Sequence, residues 1–251
     1  MENDLFYFGI IALGAFAGAL ASGLAGFAFA ITSLGIWAHV LSPAEAAPMV
    51  VICSLLVLLS TFAAIWRSID FRSAWVFILG GLIGVPAGVA LLPLADPGPF
   101  RIFVGATLIL YCGALLLSGR FPAITGKHPF LNGLVGVGGG VMGGFAGLSG
   151  VLPTIWCSLM KWPKDKQRAT FQLFNAAMHS ATLTLYILQD RLPDNVLTLL
   201  GASAPALILG SALGFLLYRR INDAQFKKLL LWMLGISGVG LLLPALQGLF
   251  S

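Results

Sequence analysis

The sequence predicts an all-α integral membrane protein of two inverted repeats, each one broken or re-entrant helical segment followed by three transmembrane helices. Three observations predict it. Only 9% of the 251 residues are charged and 59% are hydrophobic, whereas a soluble domain carries about 25% charged residues. Asp, Glu, Lys and Arg are absent from eight runs, 5–44, 46–66, 73–95, 102–119, 128–160, 169–189, 195–218 and 229–251. Six of these have the length of one helical crossing, about 17–25 residues, and only the first and fifth are longer. Third, motifs recur at a near-constant offset, which divides the chain into repeats at 1–124 and 125–251.

Taken in order, the first run of 40 residues contains Ser22-Gly23-Leu24-Ala25-Gly26-Phe27. Pro43 and Pro48 mark entry to the second run, and Asp96-Pro97-Gly98-Pro99 breaks the chain before the fourth. The fifth run, 33 residues long, holds the dense glycines from Gly136 to Gly150. Glycine costs a helix about 1 kcal/mol against alanine, so this cluster predicts a break in mid-run. A break at membrane depth is tolerated only in protein or beside a wet cavity. Trp162-Pro163 ends that run between Lys161 and Lys164, and Leu192-Pro193-Asp194-Asn195 turns the chain before the seventh. Gly84 with Gly88, and Gly210 with Gly214, are small-xxx-small pairs that let helices approach closely.

The repeat rests on several correspondences. Ser22–Phe27 aligns with Ala146-Gly147-Leu148-Ser149-Gly150-Val151, and Arg67 and Asp70 align with Arg191 and Asp194, all at an offset of 124. Gly84, Gly88, Phe100 and Arg101 align with Gly210, Gly214, Phe226 and Lys227 at 126. If the two long runs enter and leave on one side, 12 of the 14 Lys and Arg residues share a face, leaving Arg101 and Arg191 opposite. Eight plain crossings would split them 9 to 5. Cytoplasmic loops carry the excess of Lys and Arg, so the first arrangement is favoured, with both termini outside.

The net charge of +5 would suggest nucleic acid as the partner of a soluble protein, but here the basic residues are topology signals, and the expected partners are membrane lipids and a small anionic substrate. Met1-Glu2-Asn3-Asp4 lacks the basic start of a cleaved signal, so the first hydrophobic segment is expected in the mature protein. Cys53, Cys112 and Cys157 lie in apolar runs without metal-type spacing, and His39, His128 and His179 are scattered. No metal, cofactor or catalytic residue is expected. The oligomeric state is left open.

Candidate binding residues come from two patterns. Gln172, Asn175 and His179 stand at i, i+3 and i+7 on the sixth run and share one helix face. Polar side chains at that depth need partners or water. The two breaks add Ser22, Gly23 and Gly26 in the first half and Gly147, Ser149 and Gly150 in the second. Half-helix amino ends with serine hydroxyls and no carboxylate favour a small anion. Thr32, Ser33 and Thr154, just beyond, either line the path or cap helix carbonyls.

With the chain length, the two glycine-rich segments about 125 residues apart and Gly147-Leu148-Ser149-Gly150-Val151-Leu152-Pro153, the sequence resembles the sulfite exporter TauE/SafE family of membrane permeases. The resemblance implies an inverted-repeat secondary transporter of the bacterial inner membrane that moves sulfite, organosulfonates or related small anions. Two other readings were weighed. Gly147-Leu148-Ser149-Gly150 is also the nucleophile string of an intramembrane serine protease, with His179 as base. A passive anion channel would need no coupling.

Overall fold

The computed structural model describes residues 2–25, 28–65, 71–117, 122, 124–126, 128–218, 231–232 and 234–244. Among them the secondary structure is helical: α1 (Glu2–Ala25), α2 (Phe29–Trp37), α3 (Pro43–Ile65), α4 (Phe71–Leu91), α5 (Pro97–Leu117), α6 (Pro129–Ala146), α7 (Val151–Leu159), α8 (Lys164–Leu188) and α9 (Val196–Tyr218), followed by α10 (Leu234–Pro244). Prolines open α3, α5 and α6, where the missing N–H costs nothing. Five of the described helices are long and apolar enough to cross a membrane. Their outward faces carry large apolar side chains, with Ile83 73%, Leu110 71% and Ile208 70% exposed. A bilayer, unlike water, accommodates such surfaces.

Both long uncharged runs fold back on themselves. Ser33 Oγ donates to Gly14 O at 2.9 Å and Trp37 Nε1 to Ile11 O at 3.0 Å, so α2 lies antiparallel to α1. In the second hairpin Trp156 Nε1 donates to Asn132 Oδ1 at 2.7 Å, and Ser149 backs onto Gly143. Each hairpin is thus closed by an indole N–H, worth about 1 kcal/mol net apiece.

The break in the second half falls at Gly147–Gly150, as expected, while the denser glycines before it stay helical. Gly136 to Gly144 lie inside continuous helix α6, and the chain turns only at Gly147–Gly150. The reason is tertiary. A Cβ at Gly136 would meet the Phe77 carbonyl, one at Gly140 the Gly81 carbonyl and one at Gly144 the Val85 carbonyl, while Gly84 and Gly88 of α4 face Val137 and Val141 in return. Two parallel helices meet backbone to backbone, so the glycines are a packing surface. In the first half, Ser22 and Gly23 likewise belong to α1 and not to its break. Gly23 touches the backbone of Gly214, and Gly210 faces the Phe16 carbonyl, so α1 and α9 form a second parallel glycine-lined pair. Gly26 lies outside the described residues.

Around these pairs, α8 packs on α3 and α4, and α5 meets α10 where Gly105 faces Gly238. Ser237 Oγ of α10 donates to Gly35 O of α2 at 2.8 Å. At one end of the bundle Arg101 Nε donates to Ala38 O at 2.9 Å, and Asn195 Nδ2 donates to Glu45 Oε1 at 2.9 Å. His39, half-buried there, is held below the usual imidazole range by burial and then by the Arg101 charge. Lys166 stacks over Trp162 at the other end, where Trp162 meets Phe77.

Replacing Gly140 by Leu is expected to cost at least about 2 kcal/mol by overpacking against α4, seen as a lower melting temperature in detergent. Gly113→Ala is the control, because nothing lies within 4 Å of a Cβ at Gly113, and it should hold or raise the melting temperature. Equal melting of the two variants would contradict the packing role.

Candidate functional site

The turn between α6 and α7 is set by one backbone conformation. Gly147 ends α6 with φ 71°, its N–H bonded to Gly143 O at 2.8 Å and the next N–H, of Leu148, to Met142 O at 3.2 Å. A Cβ there would also strike Val50 of α3 within 2.5 Å. Any side chain would cost about 1–2 kcal/mol in the left-handed region before that overlap is counted. The turn delivers Ser149, fully buried, so that its Oγ donates to Asn175 Oδ1 of α8 at 2.9 Å. Gly150 completes the fit, since a Cβ on it would sit 3.0 Å from the Asn175 amide.

Behind this turn lies a cavity of about 20 Å³, lined by Ala30 and Ile31 of α2, Tyr111 of α5, the Gly147–Val151 turn, and Asn175 and His179 of α8. The space holds about one water molecule and is too small for an oxyanion of several heavy atoms. The first turns of both half-helices, α2 and α7, contribute to its wall. Neither has a side-chain cap: the residue before α2 is Ala28, the residue before α7 is Gly150, and no side chain bonds either amino end. Helices in general favour Ser, Thr, Asp or Asn there; α6 and α8, preceded by His128 and Pro163, lack a side-chain cap as well.

Two polar atoms on the cavity residues lack partners as well. Tyr111 Oη and His179 Nδ1 are buried without a hydrogen bond of good geometry; the Thr154 hydroxyl beside Tyr111 donates to Gly150 O at 2.6 Å and keeps lone pairs that can accept from the phenol. An unsatisfied buried polar group costs about 1–3 kcal/mol, so these atoms point to water or solute within the cavity. With Ser149 bonded to Asn175 Oδ1, the Asn175 amide nitrogen stays available as a donor.

Helix α8 carries more than the three residues singled out from sequence. Gln172, Asn175, His179, Thr182 and Tyr186, at alternating spacings of three and four, form one polar stripe in which every member is at most 5% exposed. It runs about 21 Å along the helix. Gln172, through both amide atoms, and Thr182 Oγ1 have no partner, while Tyr186 Oη donates to Gly144 O at 2.6 Å.

Of the residues expected from sequence, Gly147, Gly150, Asn175 and His179 line the cavity. Ser149 acts through Asn175. Gln172 lies on the same stripe nearer the start of α8, Gly23 sits in the α1–α9 seam, and neither it nor Ser22, buried on α1, is on the cavity wall. Ser33 and Thr154 cap carbonyls, whereas Thr32 Oγ1 is unpartnered. Tyr111 was missed. Its signal was a phenol in the middle of an uncharged run, the same signal that flagged α8. The protease reading finds no support: Ser149 gives its proton to an amide oxygen, which cannot act as its base, and not to His179.

Residues 10–241 match the family model described as Sulfite exporter TauE/SafE. No curated protein matches the chain, and no solved structure does.

Gly147→Ala is expected to lower stability by about 1–2 kcal/mol from backbone strain, read as a fall in melting temperature. An unchanged melting temperature would mean that the turn does not need its left-handed residue.

Proposed function

The chain belongs to the sulfite exporter TauE/SafE family of membrane permeases, and we propose that it is a secondary transporter for sulfite, an organosulfonate or a related small anion, working by alternating access in a bacterial inner membrane. The observation that carries this is the pair of uncapped half-helices, α2 and α7, whose first turns line one cavity. A helix amino end bears roughly half a positive charge and unsatisfied N–H groups. At α7 the Val151 N–H already bonds Leu148 O at 3.3 Å and Pro153 has none, which leaves the Leu152 N–H; together with the amides that begin α2 on the same cavity, it makes an anion site without a cationic side chain. Tyr111 Oη, the Asn175 amide and His179 would complete the coordination of the solute. The proposed binding residues are therefore Tyr111, Gly147, Gly150, Asn175 and His179, with Ser149 as a positioning residue.

The repeats 1–124 and 125–251 are read as an inverted pair, and the helix contacts support that reading. The first helix of each half packs on the third full helix of the other, α1 on α9 and α6 on α4. Helices α3 and α8, and likewise α5 and α10, pair with their own counterparts. Inverted halves of this kind rock about a central site. The cavity of about 20 Å³ must widen for an oxyanion to enter, so motion is a requirement of binding. The glycine seams α1–α9 and α4–α6 are the surfaces on which halves could shift, because little side chain interlocks there.

Reconstituted into liposomes, the protein should show saturable sulfite flux that is accelerated by unlabelled sulfite on the opposite side. Flux linear in concentration without such acceleration would favour the channel. Asn175→Ala is expected to weaken apparent affinity by roughly tenfold, the loss of one hydrogen bond to a charged solute. Ser149→Ala should raise the KM while keeping turnover. Complete loss of turnover in Ser149→Ala, with the protein folded, would contradict its positioning role.

With Cys53, Cys112 and Cys157 replaced, Gln172→Cys and Thr182→Cys should react with an anionic thiol reagent, and sulfite should slow that reaction. Labelling at neither position would remove the α8 stripe from the solute path.

A further inference from the structure

The proposed anion site has a charge of its own, and that charge can be counted. The side chains and backbone around the cavity come from Ala30, Ile31, Tyr111, the Gly147–Val151 turn, Asn175 and His179. None of these is Lys, Arg, Asp or Glu, so the fixed charge facing the solute is that of two half-helix amino ends. Each supplies at most roughly half an elementary charge, and α7 has its Val151 N–H bonded to Leu148 O and no N–H at Pro153, so the two together do not exceed about one. The titratable groups facing the cavity are Tyr111 from α5 and His179 from α8; α2 and the α6–α7 turn present none, and the α3 residues behind the turn are Val50 and Val51. His179, 2% exposed and without a partner for Nδ1, has no carboxylate among the cavity residues to favour a protonated ring.

We propose that the site is selective for the charge of its solute as well as its shape: it takes a tetrahedral or pyramidal oxyanion bearing a single negative charge, a sulfonate headgroup or the hydrogen form of sulfite, and rejects dianions such as sulfate and fully deprotonated sulfite. This rests on the anion-transport reading above and sharpens it. A monoanion is balanced by the two amino ends. A dianion leaves one charge uncompensated among buried side chains that include no cation, where an unpaired ion is strongly disfavoured. The donors fit the same conclusion. Tyr111 Oη and the Asn175 amide nitrogen can each give a proton to a sulfur-bound oxygen, and His179 Nδ1, in the tautomer that leaves it bare, can accept from the S–OH of hydrogen sulfite. The S–OH proton then stays with the solute and no group on the protein has to change its charge.

The test uses the purified full-length chain, with binding followed by thermal shift and calorimetry at matched ionic strength. Methanesulfonate, which keeps one charge at every working pH, is expected to bind with an affinity independent of pH through the neutral range. Sulfate is expected to bind at least roughly tenfold more weakly, the signature of one unbalanced buried charge. Apparent affinity for sulfite should fall about tenfold per pH unit once the solute loses its second proton, following the solute and not the protein. Sulfate binding as tightly as methanesulfonate would overturn the charge rule while leaving the anion site standing. Absence of binding by every anion would overturn both. His179→Asn, which cannot be protonated, should preserve the ratio of methanesulfonate to sulfate affinity. If wild type binds sulfate and His179→Asn loses it, a protonated His179 balances a dianion and the proposal fails.

Discussion

A helix that ends inside hydrocarbon has to find partners for its terminal amides, because no water is there to take them. The architecture turns on that constraint. Two half-helices, α2 and α7, begin in the interior without a side-chain cap, and the structure brings both beginnings to one small cavity. Everything that holds them there is apolar packing or a neutral hydrogen bond: the indole bonds of Trp37 and Trp156 close the hairpins, and Ser149 on Asn175 fixes the turn of the second. The positive potential is thus backbone in origin. It remains whatever the pH, and it carries no long cationic side chain that would hold the solute too firmly to release.

The scaffold that presents these ends is built from unusually close helix pairs. Along α4 and α6, glycines on each helix face carbonyl oxygens of the other, and the α1–α9 seam repeats the arrangement. Without side chains to interlock, such surfaces gain their energy from backbone contact over a long stripe, which small relative shifts need not destroy. The cavity held between these helices has room for about one water.

Much of this was legible in the sequence. Run lengths alone singled out the two overlong segments that fold back, because a bilayer has a fixed thickness and a helix a fixed rise; of the six runs expected to cross once, α4, α5 and α9 are long and apolar enough among the described residues. The i, i+3, i+7 placement of Gln172, Asn175 and His179 fixed a face, and that face is buried. The break at Gly147–Gly150 was legible, but the continuous helix through the denser glycines before it was not. Glycine weakens a helix locally, but in α6 the contact with α4 outweighs that preference from Gly136 to Gly144, and only Gly147 adopts a conformation closed to other residues. Ser22 and Gly23 were misplaced for the same reason: a small residue that turns the chain and one that admits a neighbouring helix look alike until the neighbour is known. Tyr111 escaped because it stands alone on α5, and a single phenol has no periodicity to announce it.

The central claim is that a bound anion lies between the first turns of α2 and α7. Its most direct measurement is a structure of the protein with selenite, the selenium counterpart of sulfite, located by anomalous scattering. The account predicts a selenium peak bounded by Ala30, Ile31, Gly150 and Val151, with its oxygens on Tyr111 Oη and the Asn175 amide. A peak confined to the basic end near Lys161 and Lys166, with the space beside Tyr111 and Asn175 empty at saturating selenite, would contradict it.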